Sequence, residues 1–123
     1  MQQQLTEDKS IYLQISQMFE TDILRGILLE EERVPSTNEL AKLYTINPAT
    51  AAKGINLLVD EGILYKKRGI GMFVSAGAAE RIRARRKQEF YEIRLAELLA
   101  EAKSLGITRQ ELIDQIGKGG NHE

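Results

Sequence analysis

The sequence predicts a mainly α-helical fold with one small β-hairpin, and three observations lead there. Apolar residues recur at helical spacing in several separate stretches. Ser36-Thr37-Asn38-Glu39 and Thr108-Arg109-Gln110-Glu111 both have the capping-box pattern that opens a helix. Two β-prone runs flank Arg68-Gly69-Ile70-Gly71, which has the composition of a hairpin tip.

Residues 1–9 are polar and are expected to form a flexible N-terminus. From Ser10 onward Ile11, Ile15, Met18, Phe19 and Ile23 fall on one helical face, and Gly26 follows Arg25 where a left-handed cap belongs. That predicts a first helix over about 10–25. Glu30-Glu31-Glu32 forms an acidic loop before Arg33-Val34-Pro35. The second helix opens at the Ser36 capping box, with Leu40, Leu43 and the Tyr44 ring as its apolar side. A brief turn at Tyr44-Thr45-Ile46 leads to Asn47-Pro48, an N-cap followed by proline at the first helical position. The third helix runs from Pro48 to Glu61 and stops at Gly62. Ala51, Ile55 and Leu58 are its inward face, and Gly54 allows a close helix crossing. Strands are expected at 63–67 and 72–75.

A long helix follows over about 79–105. Tyr91, Leu95, Leu98, Ala102 and Leu105 keep the spacing of a coiled-coil-like seam. Ile82, Phe90, Ile93 and Leu99 lie off that seam, so the helix is apolar on more than one side, as a helix sandwiched between partners would be. Gly106 ends it, and the Thr108 capping box starts a short helix through Ile116. The expected organisation is a flexible 1–9, a first domain at 10–76, a helical region at 77–116 and a disordered tail at 117–123.

Two helices joined by a tight turn make a helix-turn-helix, whose second helix enters the DNA major groove with its N-terminal residues toward base edges. Asn47, Ala49, Thr50 and Lys53 would face the groove. Amides at the starts of both helices, near Ser36-Thr37 and Asn47-Pro48, offer phosphate sites. The hairpin behind this unit reads as a wing. Lys66, Lys67 and Arg68 would line the backbone, while Gly69 and Gly71 let the tip approach closely. Taken alone, the same four residues describe a plain hairpin turn.

Charge is unevenly distributed. The formal net charge is −1, yet residues 63–87 carry a balance of +7 between acidic flanks of −5 and −3. A basic block of that kind suits a polyanion, since each neutralised phosphate releases condensed counterions. Arg81, Arg83, Arg85, Arg86 and Lys87 are open to three readings: a DNA-facing surface, pairing with acids of a partner subunit, or plain solvation.

The chain has no cysteine and one histidine, His122, in a polar tail. That excludes disulfides and thiol chemistry and leaves no residue set for a metal centre or a catalytic constellation. Ser10, Ser16, Ser36, Ser75 and Ser104 lack a base partner in the sequence, and no cofactor motif is present. No hydrophobic run exceeds three residues and no leader pattern opens the chain, so a cytoplasmic location without membrane contact is expected.

The ordered combination of Val34-Pro35-Ser36-Thr37-Asn38-Glu39-Leu40-Ala41, Ile46-Asn47-Pro48-Ala49-Thr50, Asp60-Glu61-Gly62-Ile63-Leu64 and Arg68-Gly69-Ile70-Gly71-Met72-Phe73-Val74 resembles the GntR family of bacterial transcription regulators. Ile11-Tyr12-Leu13-Gln14-Ile15 is similar to the family's opening, and the match covers about residues 10–75. The short C-terminal part resembles the YtrA-type subfamily. The resemblance implies a winged helix-turn-helix followed by a two-helix dimerisation segment. The implied function is repression of the protein's own operon and of adjacent transporter genes, often of the ABC type. DNA-binding residues would be Arg33, Ser36, Thr37, Asn38, Asn47, Ala49, Thr50, Lys53, Lys67, Arg68, Gly69 and Gly71. Dimerisation residues would be Phe90, Tyr91, Ile93, Leu95, Leu98, Leu99, Ala102 and Leu105, forming a homodimer matched to a palindromic operator in double-stranded DNA. Asn38 stands where many relatives carry a DNA-contacting arginine, and Ala52 where some carry a long basic side chain, so the operator sequence does not transfer.

Arg33 has an alternative role in a surface salt bridge with Glu30–Glu32. Ser36 and Asn47 serve as caps in any case, whereas Thr50 and Lys53 have no evident structural duty. A small-molecule effector would need a small pocket between the C-terminal helices, and no polar constellation marks one. The rival function is a winged-helix module that binds a protein and has lost specific DNA binding.

Overall fold

The computed structural model describes Leu5 and residues 10–119. Elements run in the order α1 (Ile11–Leu24), β1 (Arg33–Val34), α2 (Thr37–Tyr44), α3 (Pro48–Asp60), β2 (Leu64–Lys67), β3 (Gly71–Val74), α4 (Ala78–Glu89), a π-helical stretch (Phe90–Leu95), α5 (Ala96–Ser104) and α6 (Arg109–Gly119). They form two compact units, Met1–Ala84 and Arg85–Glu123.

In the first unit several helix ends are set by local chemistry. Gly26 takes φ +75° after α1, and the amides of Ile27 and Leu28 both donate to the Asp22 carbonyl. The capping box at Ser36 is complete: Glu39 N–H donates to Ser36 Oγ at 3.1 Å and Ser36 N–H to Glu39 Oε1 at 3.2 Å. Asn47 Oδ1 accepts from Ala49 N–H at 2.8 Å and starts α3, with Pro48 in its first turn. Between these helices Thr45 adopts a left-handed φ of +52°, uncommon for a β-branched residue, and Ile46 N–H closes the turn on the Ala41 carbonyl.

The core of this unit joins Ile15, Phe19 and Ile23 of α1, Leu40 and Ala41 of α2, and Ala51, Ile55 and Leu58 of α3 to Val34, Ile63, Leu64 and Val74. Leu5 packs against it, while the rest of the stretch expected to be flexible lies outside the described residues. Gly54 is required at the α1–α3 crossing: a Cβ there would lie 2.8 Å from the Tyr12 carbonyl oxygen. Leu43 departs from expectation. It is 61 % exposed, because the short α2 turns only Leu40 and Ala41 fully inward.

The hairpin is part of a larger sheet. Among the described residues it has three antiparallel strands in the order β1-β3-β2, with Arg33 opposite Phe73 and Phe73 opposite Tyr65. Glu31 N–H to the Val74 carbonyl and Val74 N–H to the Glu32 carbonyl extend the pairing ahead of β1. Ala78 and Ile82, beyond the boundary expected at residue 76, are fully buried in the core of this first unit.

The second unit corrects two expectations. The helix predicted over 79–105 is interrupted by the π-helical stretch, whose wider turn rotates Phe90–Leu95 relative to an α-helical stripe. The Tyr91–Leu105 seam is therefore not one continuous α-helical line. α6 also continues to Gly119 rather than stopping at Ile116, so Gly117–Gly119 are helical, while 120–123 lie outside the described residues. Its capping box forms as expected, with Glu111 N–H on Thr108 Oγ1 at 3.1 Å and Thr108 N–H on Glu111 Oε1 at 3.0 Å. Among the described residues of this unit Ala102 is buried, Leu95 and Leu99 are half-buried, and Phe90, Tyr91, Ile93, Leu98 and Leu105 are exposed. No helix among the described residues is long and apolar enough to cross a membrane.

Candidate nucleic-acid interface

The outward side of α3 follows from what its inward side buries. With Ala51, Gly54, Ile55 and Leu58 in the core, Asn47, Ala49 and Lys53 are left exposed and Thr50 half-buried. Asn56, one turn beyond Lys53, is exposed on the same side. Helical spacing from Lys53 was the signal that could have added it to the expected residues. The first amides of α3 are engaged: Ala49 by the Asn47 side chain, Thr50 and Ala51 by the Asn47 carbonyl. At α2, Ser36 Oγ takes the Glu39 amide and the Ser36 carbonyl takes that of Leu40. The expectation of open amide sites is thus narrowed at both helix starts.

Lys53 has a structural role that the sequence did not reveal. Its Nζ lies 4.1 Å from the centroid of the Tyr12 ring on α1. Thr50 has no comparable contact among the interactions described.

Arg33 sits on β1 and pairs with Glu39 at 3.6 Å, both side chains more than half exposed. The expected alternative was a bridge to Glu30–Glu32, and those carboxylates accept hydrogen bonds from other residues. Glu30 accepts from Gly77 N–H, Glu31 from the Tyr65 hydroxyl and Glu32 from Leu29 N–H. Glu31 also holds a left-handed φ of +66°. The Tyr65 hydroxyl is pushed above its ordinary pKa, first by this hydrogen bond. The Glu39 carboxyl is held below the usual carboxylate value, first by the Ser36 backbone hydrogen bond, then by the Ser36 side chain, with the Arg33 charge adding to them. It is therefore an anion at neutral pH beside Arg33 and the start of α2.

The wing tip turns at Lys67–Ile70, where Ile70 N–H donates to the Lys67 carbonyl and Gly69 takes φ +77°. Lys66, Lys67 and Arg68 are exposed along it. Lys67 Nζ lies 4.7 Å from the Phe73 ring centroid, and Phe73 stacks on Tyr65 at 5.9 Å. Thr37 is half-buried and Asn38 exposed at the first positions of α2. Arg33, Glu39 and Gly71 thus form one cluster joining the start of α2 to the tip end of β3. Lys53 with Tyr12 forms a second.

The basic cluster is answered in part. Arg81 Nη1 donates to the Gly62 carbonyl at 2.5 Å, in the turn that follows α3 and within the same unit. Arg85 pairs with Glu89 one helical turn away, at 3.5 Å. Among the described residues no group of acidic, histidine or cysteine side chains could hold a metal ion.

A family model described as bacterial regulatory proteins, gntR family, matches residues 11–74. The chain is 31 % identical over 106 residues to the HTH-type transcriptional repressor YtrA of Bacillus subtilis, covering 86 % of this chain and 81 % of that protein. Its fold is similar to a putative GntR-family transcriptional regulator from Bacteroides thetaiotaomicron, with TM-score 0.77 and 33 % identity over 91 % of this chain and 97 % of the other. It is also similar to the DNA-binding domain of AraR in complex with operator ORX1, with TM-score 0.52 and 32 % identity over 61 % of this chain and 92 % of that one.

Proposed function

The chain belongs to the gntR family of bacterial regulatory proteins, and from that premise we propose that it is a homodimeric repressor of its own operon and of adjacent ABC-type transporter genes. It is a DNA-binding transcription regulator, and its relatives are regulators and not enzymes. The observation that carries the finer reading is the two-sidedness of α3: Ala51, Ile55 and Leu58 are locked into the core while Asn47, Ala49 and Lys53 stay exposed beside a basic wing.

On this reading α3 lies in the major groove. Asn47 and Thr50 offer hydrogen bonds to base edges or phosphates, and Ala49 an apolar contact for a thymine methyl. Ser36 keeps a hydroxyl proton to donate although its oxygen is engaged as a cap. Thr37 and Asn38 face the backbone from the start of α2, together with Arg33. Lys67 and Arg68 follow the wing, where Gly69 and Gly71 admit a close approach to the minor groove.

The second unit serves as the dimerisation region. Phe90, Tyr91, Ile93, Leu98 and Leu105 are apolar and exposed in the single chain, with Leu95, Leu99 and Ala102 between them. Covering that surface with a second copy removes it from water, and a two-fold dimer suits a palindromic operator in the cytoplasm.

Fluorescence anisotropy on the protein's own promoter fragment, against a shuffled fragment at two salt concentrations, tests the proposal. Preferential, salt-sensitive binding supports it. Equal and weak binding to both fragments favours a winged helix that serves a protein partner or requires an effector.

A further inference from the structure

Lysine loses much side-chain freedom when it is fixed in a complex, so a DNA-facing lysine contributes more when the free protein already holds it. Lys53 is held. Its ammonium stands 4.1 Å from the centroid of the half-buried Tyr12 ring, while the residue as a whole remains exposed. The contact follows from the helix crossing. Gly54, next to Lys53 in the chain, lacks the Cβ that would come within 2.8 Å of the Tyr12 carbonyl oxygen and 3.1 Å of Ile15 Cγ2. The close approach that Gly54 permits brings the Tyr12 ring beneath the lysine on the outward side of α3. An ammonium resting on a ring face keeps N–H groups directed away from the ring, free to donate to an oxygen. The wing repeats the arrangement with Lys67 over Phe73.

Resting on the DNA-binding reading, we infer that Tyr12 is a positioning residue for operator binding, its ring holding the Lys53 ammonium where a phosphate oxygen meets α3. Tyr12 acts through Lys53 and has no contact of its own with DNA. A ring face is what the role requires, and the Tyr12 hydroxyl is dispensable.

The test is a double-mutant cycle read by anisotropy on the promoter fragment, with melts by circular dichroism to establish that each variant is folded. Tyr12→Phe should bind within about twofold of the wild type, and Tyr12→Leu about three- to fivefold more weakly. Lys53→Ala should weaken binding and lower the salt slope by about one. Tyr12→Leu should add nothing once Lys53 is alanine. An equal loss from Tyr12→Leu in both backgrounds would assign the effect to packing and overturn the inference, as would wild-type affinity in Tyr12→Leu. If Tyr12→Leu does not fold, the Lys53 ε-methylene resonance of the wild type decides. An upfield ring-current shift kept on DNA supports the role, and a random-coil shift overturns it. A wild type that binds neither promoter nor shuffled DNA removes the DNA-binding reading itself, and that result is visible before any variant is compared.

Discussion

The Arg33 side chain crosses Gly71 so closely that a methyl group on the glycine would lie 2.8 Å from Arg33 Nε. Gly71 has φ +145°, a conformation that side-chain-bearing residues rarely adopt, and it pairs with Lys67 at the tip end of the wing. Gly71→Ala should therefore cost roughly 1–3 kcal/mol of stability through backbone strain. It should also displace the Arg33 guanidinium from Glu39. A thermal melt measures the first effect. The second is expected as weaker operator binding at a temperature where the variant remains folded.

Arg68 at the wing tip is exposed, so its removal should leave the fold unchanged. Arg68→Ala is expected to weaken operator binding and to lower the salt slope by about one, with the dimer intact. Anisotropy across a salt series, combined with sedimentation, checks both parts. An unchanged slope would remove the wing from phosphate contact.

Glu39 makes stability depend on acid. Its folded pKa lies below the ordinary 4.5, so the unfolded chain takes up the proton first as pH falls. Its contribution is present above that value and is lost as the pH drops through the folded pKa. The midpoint of unfolding should fall more steeply below about pH 4.5 in the wild type than in Glu39→Gln, which lacks the titrating group. Melts by circular dichroism from neutral pH to pH 3 give the comparison.

Leu98 is 47 % exposed in the single chain and central to the proposed dimer surface. Leu98→Glu should yield a monomer in sedimentation while leaving the melting of the first unit unchanged, because a carboxylate buried without a partner is strongly unfavourable. Operator affinity should fall along with dimerisation. A dimeric Leu98→Glu would place the interface elsewhere.

The parts of the structure legible in the sequence are those with local causes. The caps at Ser36, Asn47 and Thr108, the left-handed Gly26 and the inward face Ala51-Ile55-Leu58 follow from residues within a few positions of one another. What escaped depends on distant partners. β1 is two residues long, too short to show a period, and is defined by Met72 and Phe73 across the sheet. The π-helical stretch has no local marker among Phe90–Leu95. In the candidate site, Asn47, Ala49 and Lys53 were readable from helix spacing. The Glu39 partner of Arg33 and the Tyr12 ring beneath Lys53 arise only once separate elements are packed together.

The burial of Ala78 and Ile82, with the bond from Arg81 to the Gly62 carbonyl, bears on protein engineering. The start of α4 acts as an internal plug for the winged helix. A chimaera grafting this reader onto an oligomerisation module must retain the chain through Ala84, since a junction at residue 76 would open a hole in the core and remove the Arg81 bond to the Gly62 carbonyl. A fusion made after Ala84 keeps the plug in place and makes the reader portable.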